Sequence, residues 1–117
     1  MRVPVTDGHM ASVSVAFEKQ VSKEDLIDAI RNFDNPLKGL NLPSAPDPFI
    51  KYFEEDDRPQ TRLDRDFENG QGITVGRLRK DPILDWKFVA LSHNTIRGAA
   101  GGAVLTAELL HKKGYIV

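Results

Sequence analysis

Two side chains with complementary chemistry stand near the amino end of the chain, Arg2 and His9, separated by Val-Pro-Val-Thr-Asp-Gly. The proline and glycine between them predict a bent approach to a strand that starts near Met10. An arginine fork suits bidentate capture of a carboxylate, and a histidine suits proton transfer near neutral pH. The spacing allows both to face one cavity; a surface arginine and a turn histidine are the alternative.

A second unusual feature is the glycine cluster Gly98-Ala-Ala-Gly-Gly102, at the start of the last predicted helix. Each glycine costs a helix about 1 kcal/mol relative to alanine, so three of them need a reason. Either another backbone packs closely there, or a flat ligand lies against the helix start, where free N–H groups favour anions. The sequence alone leaves both readings open.

Metal and cysteine chemistry are not indicated. The histidines His9, His93 and His111 do not have the spacing of metal ligands, and no carboxylate set surrounds them, so we expect no metal site. The chain contains no cysteine, which excludes a disulfide framework, a thiolate zinc site and a cysteine nucleophile within these residues.

The composition is that of one globular domain spanning residues 1–117. It has 40% hydrophobic and 28% charged residues, and a net charge of -1. The charge balance argues against a nucleic-acid partner. There is no apolar run of the roughly 18 residues that a membrane span needs and no signal-peptide pattern, so we expect no membrane partner and a cytoplasmic protein.

The apolar pattern predicts a strand, a helix, three further strands and a final helix. This order is typical of the α+β class: a mostly antiparallel, mixed sheet with helices packed on one face. The first helix has a serine N-cap, Ser22, and the last has the cap Asn94-Thr95 and ends at Gly114. The predicted bounds are 10–17, 49–53, 73–78 and 86–91 for the strands and 23–33 for the first helix.

Two further segments carry predictions. Residues 58–72 are rich in charge, glycine and asparagine and are predicted as a loop, either solvated and held by ion pairs or covering a substrate or contacting a subunit. The last helix is predicted to carry one broad apolar face over five turns. That face consists of Ile96, Ala99, Ala100, Ala103, Val104, Ala107 and Leu110.

Three stretches together resemble one enzyme family. The segment from Arg2 to His9 resembles the active-site strand of aspartate-semialdehyde dehydrogenases. Arg58-Pro-Gln-Thr-Arg-Leu-Asp64 is similar to a loop of their archaeal and fungal branch, and Leu91-Ser-His-Asn-Thr-Ile-Arg-Gly-Ala-Ala-Gly-Gly102 is similar to their cofactor-side helix start. The resemblance covers the whole chain but only the C-terminal part of such an enzyme. It implies the fold of the C-terminal domain of glyceraldehyde-3-phosphate-dehydrogenase-like enzymes.

The resemblance also implies an activity and site residues. The family reduces β-aspartyl phosphate to aspartate semialdehyde with NADPH, in amino-acid biosynthesis. By this resemblance Arg2 binds the substrate carboxylate and His9 is the general acid/base. Asn94 and Gly98 lie near the nicotinamide end of NADP, and subunits associate through the sheet face as a homodimer or tetramer.

The chain departs from the family pattern in two respects. It lacks the family's nucleophilic cysteine and any glycine-rich strand–turn–helix of the dinucleotide-binding type, so we expect the N-terminal dinucleotide-binding domain to be absent from this chain. These 117 residues alone should therefore be inactive. Two alternatives are a sister acyl-CoA reductase, such as malonyl-CoA reductase, and a stand-alone, non-catalytic dimerisation module.

Overall fold

A computed structural model describes residues 4–117, so the predicted role of Arg2 lies outside the described residues. The described part contains a four-stranded sheet and three α-helices. The strands are β1 (His9–Val15), β2 (Ile50–Tyr52), β3 (Ile73–Lys80) and β4 (Trp86–Ser92), and the helices are α1 (Lys23–Arg31), α2 (Thr61–Asp64) and α3 (Gly101–Lys112). The predicted strands and first helix are confirmed, with bounds that move by one or two residues.

The strand order is β1-β4-β3-β2. β4 is antiparallel to both β1 and β3, whereas β2 is parallel to β3. The mixed, mostly antiparallel α+β class is therefore confirmed. The hairpin of β3 and β4 places β4 in the interior of the sheet, next to β1, so that the start of β1 lies beside the end of β4.

One face of the sheet, here called the open face, is apolar along β1 and β4 but only partly covered. Directly opposite residues of antiparallel strands share a face, so the register groups these side chains. Towards one end Trp86 is buried; its Nε1–H donates to the carbonyl oxygen of Val21 (3.2 Å), and the Lys80 ammonium lies 3.8 Å from its ring centroid. The open face consists of Ala11, Val13, Val15, Phe88 and Ala90, all half-buried or exposed.

The opposite face is covered by the segment that the sequence predicts to be a loop. Leu91 and Thr74, which share this face, are each only 1% exposed. Residues 58–72 contain α2 and a 3-10 turn, Phe67–Gly70, so the prediction of a loop throughout was wrong. A four-residue helix has almost no local helical preference of its own; here it is fixed by tertiary packing on the sheet.

The last predicted helix begins later than expected. Residues Ile96–Ala100 form a π-type turn, in which the Gly98 N–H donates to the His93 carbonyl oxygen (3.0 Å) and the Ala100 N–H to that of Thr95 (3.3 Å). The regular α3 starts at Gly101, so the prediction of one continuous five-turn helix was wrong. The wider turn lets the chain change direction between β4 and α3.

The predicted apolar face of the last helix is turned away from the rest of the described chain. The residues that anchor α3 are Leu105, which is buried, and Glu108, whose carboxylate accepts from the Ser44 N–H (3.0 Å) and hydroxyl (2.8 Å). Ile96 is half-buried. The other predicted members, Ala99, Ala100, Ala103, Val104, Ala107 and Leu110, are exposed.

The packing of residues 58–72 on the sheet predicts that alanine destabilises the protein at Gly76 but not at Gly98. A Cβ atom at Gly76 would overlap the carbonyl oxygen of Arg58, whereas a Cβ atom at Gly98 would lie 3.7 Å from the His93 carbonyl oxygen, an ordinary contact distance. We expect Gly76→Ala to lower the free energy of unfolding by about 1–3 kcal/mol, the usual cost of overpacking. Gly98→Ala, the matched control, should not lower it. Urea unfolding measures both; a stable Gly76→Ala protein would contradict this packing.

Candidate functional site

The candidate site lies where the start of β1 meets the end of β4. His9 is the first residue of β1 and pairs with Ser92, the last residue of β4, and Asn94 follows two residues later. The side chains of His9 and Asn94 are both exposed. Two residues that lie 85 positions apart in the sequence are thus brought to one corner of the sheet because β1 pairs with β4.

A direct hydrogen bond joins the two sides of this corner. The Gly8 N–H donates to Oδ1 of Asn94, with a distance of 2.8 Å. The same side chain carries an Nδ2 amide that can donate to a ligand. Asn94 therefore holds the backbone immediately before His9, a role that its predicted contact with a cofactor did not include.

Gly8 itself is required by the local backbone. Its φ is +102°, a region that favours glycine, and a Cβ atom there would lie 3.1 Å from the Thr61 methyl group and 3.3 Å from Leu91. Thr61 belongs to α2, so the segment that was predicted as a loop contacts the residue next to His9. The corner is built from three separate parts of the chain.

A buried ion pair holds α2 in place. The Arg58 guanidinium donates to both carboxylate oxygens of Asp64, through Nε at 2.8 Å and through Nη2, and the Gln60 N–H donates to Oδ2 at 2.7 Å. Burial alone would raise the pKa of Asp64. The hydrogen bonds from Arg58 and Gln60 together outweigh burial and hold that pKa below its ordinary value. The carboxylate is therefore charged at neutral pH.

The turn after Asn94 is shaped by a buried histidine. His93 is 6% exposed, and its Nδ1 accepts from the Ile96 N–H at 3.3 Å. Its other ring nitrogen, Nε2, lies 3.7 Å from a carboxylate oxygen of Asp66. His93 is thus a structural residue of the turn that carries Asn94 and Gly98.

The three glycines of the cluster have different surroundings in the structure. A Cβ atom at Gly102 would overlap the Arg97 carbonyl oxygen, and one at Gly101 would lie 2.7 Å from Nε2 of Gln71. Close packing therefore explains both. Gly98 is different: it is exposed and borders an open depression of about 380 Å³ next to Arg97. Close packing does not explain Gly98, so contact with a ligand is the explanation that remains for this residue.

The arrangement can support acid–base chemistry on a ligand that approaches from outside. An exposed imidazole on an anchored backbone can exchange a proton with a bound molecule. In residues 4–117 no group of three or more histidine, aspartate or glutamate side chains is placed to bind a metal ion. Within the same residues, no helix has the length and apolar character to cross a membrane.

Comparison with known proteins identifies the family to which the chain belongs. A family model described as the dimerisation domain of semialdehyde dehydrogenase matches residues 1–97. The chain belongs to this family, which confirms the resemblance found in the sequence.

Matches to individual proteins place the chain more narrowly within this family. The chain is 50% identical over 115 residues to an aspartate-semialdehyde dehydrogenase of Archaeoglobus fulgidus, and 48% identical over 120 residues to that of Aspergillus fumigatus. These matches cover 98% of this chain but 32% and 33% of the relatives, so the chain spans about a third of their length.

Solved structures agree with this assignment. A crystal structure of aspartate semialdehyde dehydrogenase with NADP from Candida albicans superposes with a TM-score of 0.84 at 44% identity, covering 98% of this chain and 33% of that one. A second, aspartate semialdehyde dehydrogenase II from Vibrio cholerae complexed with ASA, gives 0.70 at 28% identity, covering 95% and 29%.

Sequence reasoning found His9, Asn94 and Gly98 but not the residues that hold them. Their assigned roles stay predictions, as does the role of Arg2. The missed residues are Thr61, Asp64 and Arg65, which lie in the predicted loop. A signal for them was present, because Arg58 and Asp64 have opposite charges close together in the sequence. Only the structure shows that this pair is largely withdrawn from solvent, with 25% and 3% exposure of the two side chains.

The ion pair of α2 predicts a pH-dependent loss of stability. Because folding lowers the pKa of Asp64, its contribution is present above the ordinary carboxyl pKa of about 4 and is lost as the pH falls below that value. Asp64→Asn should lower the free energy of unfolding by about 1.5–3 kcal/mol at pH 7, the usual contribution of hydrogen bonds to a charged group, because it removes the charge that Arg58 and the Gln60 N–H bind. Below pH 4 the difference from wild type should shrink.

Urea unfolding at pH 7 and at a pH well below 4 measures this difference, with Asp56→Asn, an exposed aspartate, as the control. An equal deficit at both pH values would show that Asp64 acts through its shape and not through its charge.

Proposed function

We propose that this chain is the C-terminal part of an NADP-dependent aspartate-semialdehyde dehydrogenase. The observation that carries the proposal is the exposed imidazole of His9 at the start of β1, next to Asn94, which fixes the preceding backbone. This is an arrangement suited to a general acid/base. The identity to enzymes of that name supports the substrate class, β-aspartyl phosphate.

In this proposal each residue has a distinct task. A ring nitrogen of His9 holds and moves the proton of the reaction. Arg2 binds the carboxylate of the substrate by a bidentate contact. The nucleophilic cysteine and most of the cofactor site belong to the part of the protein that this chain does not include. Cytoplasmic localisation also stays a prediction.

Gly98, which borders the depression, and Asn94, which precedes it in the same turn, fit the nicotinamide end of NADP. Gly98 has open space where a side chain would stand, and the exposed amide of Asn94 can donate to a carboxamide. When bound, NADPH supplies hydride. Asn94 and Gly98 would contact this end of the cofactor, and neither residue takes part in the proton transfer.

The substitution His9→Asn tests the central role. In the complete protein that contains this chain, we expect it to lower kcat for aspartyl phosphate reduction by about 10²–10⁴-fold, the usual contribution of a general acid/base. His111→Asn, the same change at an exposed histidine of α3, is the matched control. Steady-state kinetics measure both. A kcat within a few fold of wild type would refute the role of His9.

The choice of substrate separates the proposal from its enzymatic alternative. We expect the complete protein to reduce β-aspartyl phosphate and not malonyl-CoA, a carboxylated acyl-CoA thioester that Arg2 could also bind. NADPH oxidation with each substrate measures this directly.

As a second assay, this chain can replace the corresponding third of the Archaeoglobus fulgidus enzyme, with which it is 50% identical. Loss of activity in both proteins would favour a non-catalytic dimerisation module.

The open face is the proposed contact between subunits. It is apolar and partly exposed along β1 and β4, which is unusual for a surface that faces only water. Its apolar character supports association of copies through this face, as a homodimer or a tetramer. The family description as a dimerisation domain supports the same assembly.

Two neighbouring residues of β1 test this interface. Ala11 and Ser12 are both exposed but lie on opposite faces of the strand. Ala11→Arg should convert the complete protein to a smaller species, because it places a charge in the apolar contact, whereas Ser12→Arg should not. Light scattering at micromolar concentration measures the mass. If both variants keep the wild-type mass, subunits associate through another surface.

A further inference from the structure

The backbone before His9 is also held by an arginine that follows α2. Nη1 of Arg65 donates to the Thr6 hydroxyl oxygen at 3.1 Å and lies 3.4 Å from the Asp7 carbonyl oxygen. The side chain of Arg65 is 24% exposed, so its guanidinium is partly shielded from water. A charged donor forms stronger hydrogen bonds than a neutral one, especially where water is excluded.

Arg65 is itself fixed by α2. Its own N–H donates to the Thr61 carbonyl oxygen (3.2 Å), and the adjacent Asp64 is locked by Arg58. The Asp66 carboxylate lies 3.7 Å from Nε of Arg65. The backbone from which the Arg65 side chain extends is therefore fixed by α2.

The ladder between β1 and β4 starts at His9, so the residues just before it depend on other contacts. Arg65 contacts Thr6 and Asp7 from α2, and Asn94 accepts from Gly8 after β4. These two side chains come from different parts of the chain and act on consecutive residues. Loss of either one frees the segment to move, and a displacement of about 1 Å can cost 10²-fold in rate.

We propose that Arg65 is a positioning residue for His9. It holds residues 6–8 in the conformation that presents the imidazole to the substrate, and it does not touch the substrate itself. This inference rests on the proposed function for its kinetic consequence, but its structural part, the ordering of residues 6–8 by Arg65, can be tested without any activity.

The structural test is hydrogen–deuterium exchange of the complete protein, followed in a peptide that covers residues 4–12. Arg65→Met should raise the exchange rate of this peptide at least several-fold. Arg62→Met, the same change at an exposed arginine of α2, should leave it unchanged. Equal exchange in wild type and Arg65→Met would overturn the proposal, whatever the activity of the protein.

The kinetic test is a double-mutant cycle with His9. Arg65→Met alone should lower kcat about 10–100-fold while KM changes less than 3-fold. In a His9→Asn background it should cause little further loss, because the group that it positions is already gone. Arg65→Lys, which keeps the charge but not the planar fork, should recover only part of the rate.

The two proposals fail in different ways. If Arg65→Met lowers kcat equally in both backgrounds, Arg65 acts independently of His9 and the positioning role is wrong. If His9→Asn has no effect while exchange at residues 4–12 still rises in Arg65→Met, the proposed function is wrong and the ordering role of Arg65 stands.

Discussion

The site depends on one constraint, the close packing of residues 58–66 against the sheet. The Arg58 backbone approaches Gly76 so closely that no side chain fits between them, and the Arg58–Asp64 ion pair keeps α2 at that distance. A buried ion pair adds little net stability, because desolvation offsets most of the attraction. Its value here lies in geometry, since a bidentate pair fixes the direction of α2, which carries Thr61 and is followed directly by Arg65.

Contacts from this segment also fix the corner of the sheet at His9 and Asn94. Thr61 packs on Gly8, and the Asn94 side chain accepts a hydrogen bond from the Gly8 N–H. Arg65 contacts Thr6 and Asp7, the two residues that precede Gly8. His9 can thus be exposed to a substrate without a flexible backbone. Such preorganisation lowers the cost of orienting the imidazole when a substrate binds.

The glycine cluster illustrates how one sequence feature can have two causes. Gly101 and Gly102 are required by the close approach of Gln71 and Arg97, whereas Gly98 has room for a side chain. The cluster spans the boundary between the π-type turn, which contains Gly98, and α3, which begins at Gly101. Helix α3 is then anchored by Leu105 and Glu108, and it turns its alanine-rich face outwards. That face is a surface which the remaining two thirds of a complete relative could cover.

The sequence by itself determined the strands, the first helix, the α+β class and the family. Alternating apolar residues and a serine cap act over a few residues, so they can be recognised without a fold. It also indicated His9 and Asn94, because the stretches that carry them are specific to the family. Only the tertiary structure decided that residues 58–66, which include the four-residue helix α2, pack beside the residues that precede His9. The contacts of Arg58 with Asp64 and Gly76, and of Arg65 with Thr6, join segments whose pairing depends on the sheet register. A four-residue helix has no local signal strong enough to predict it.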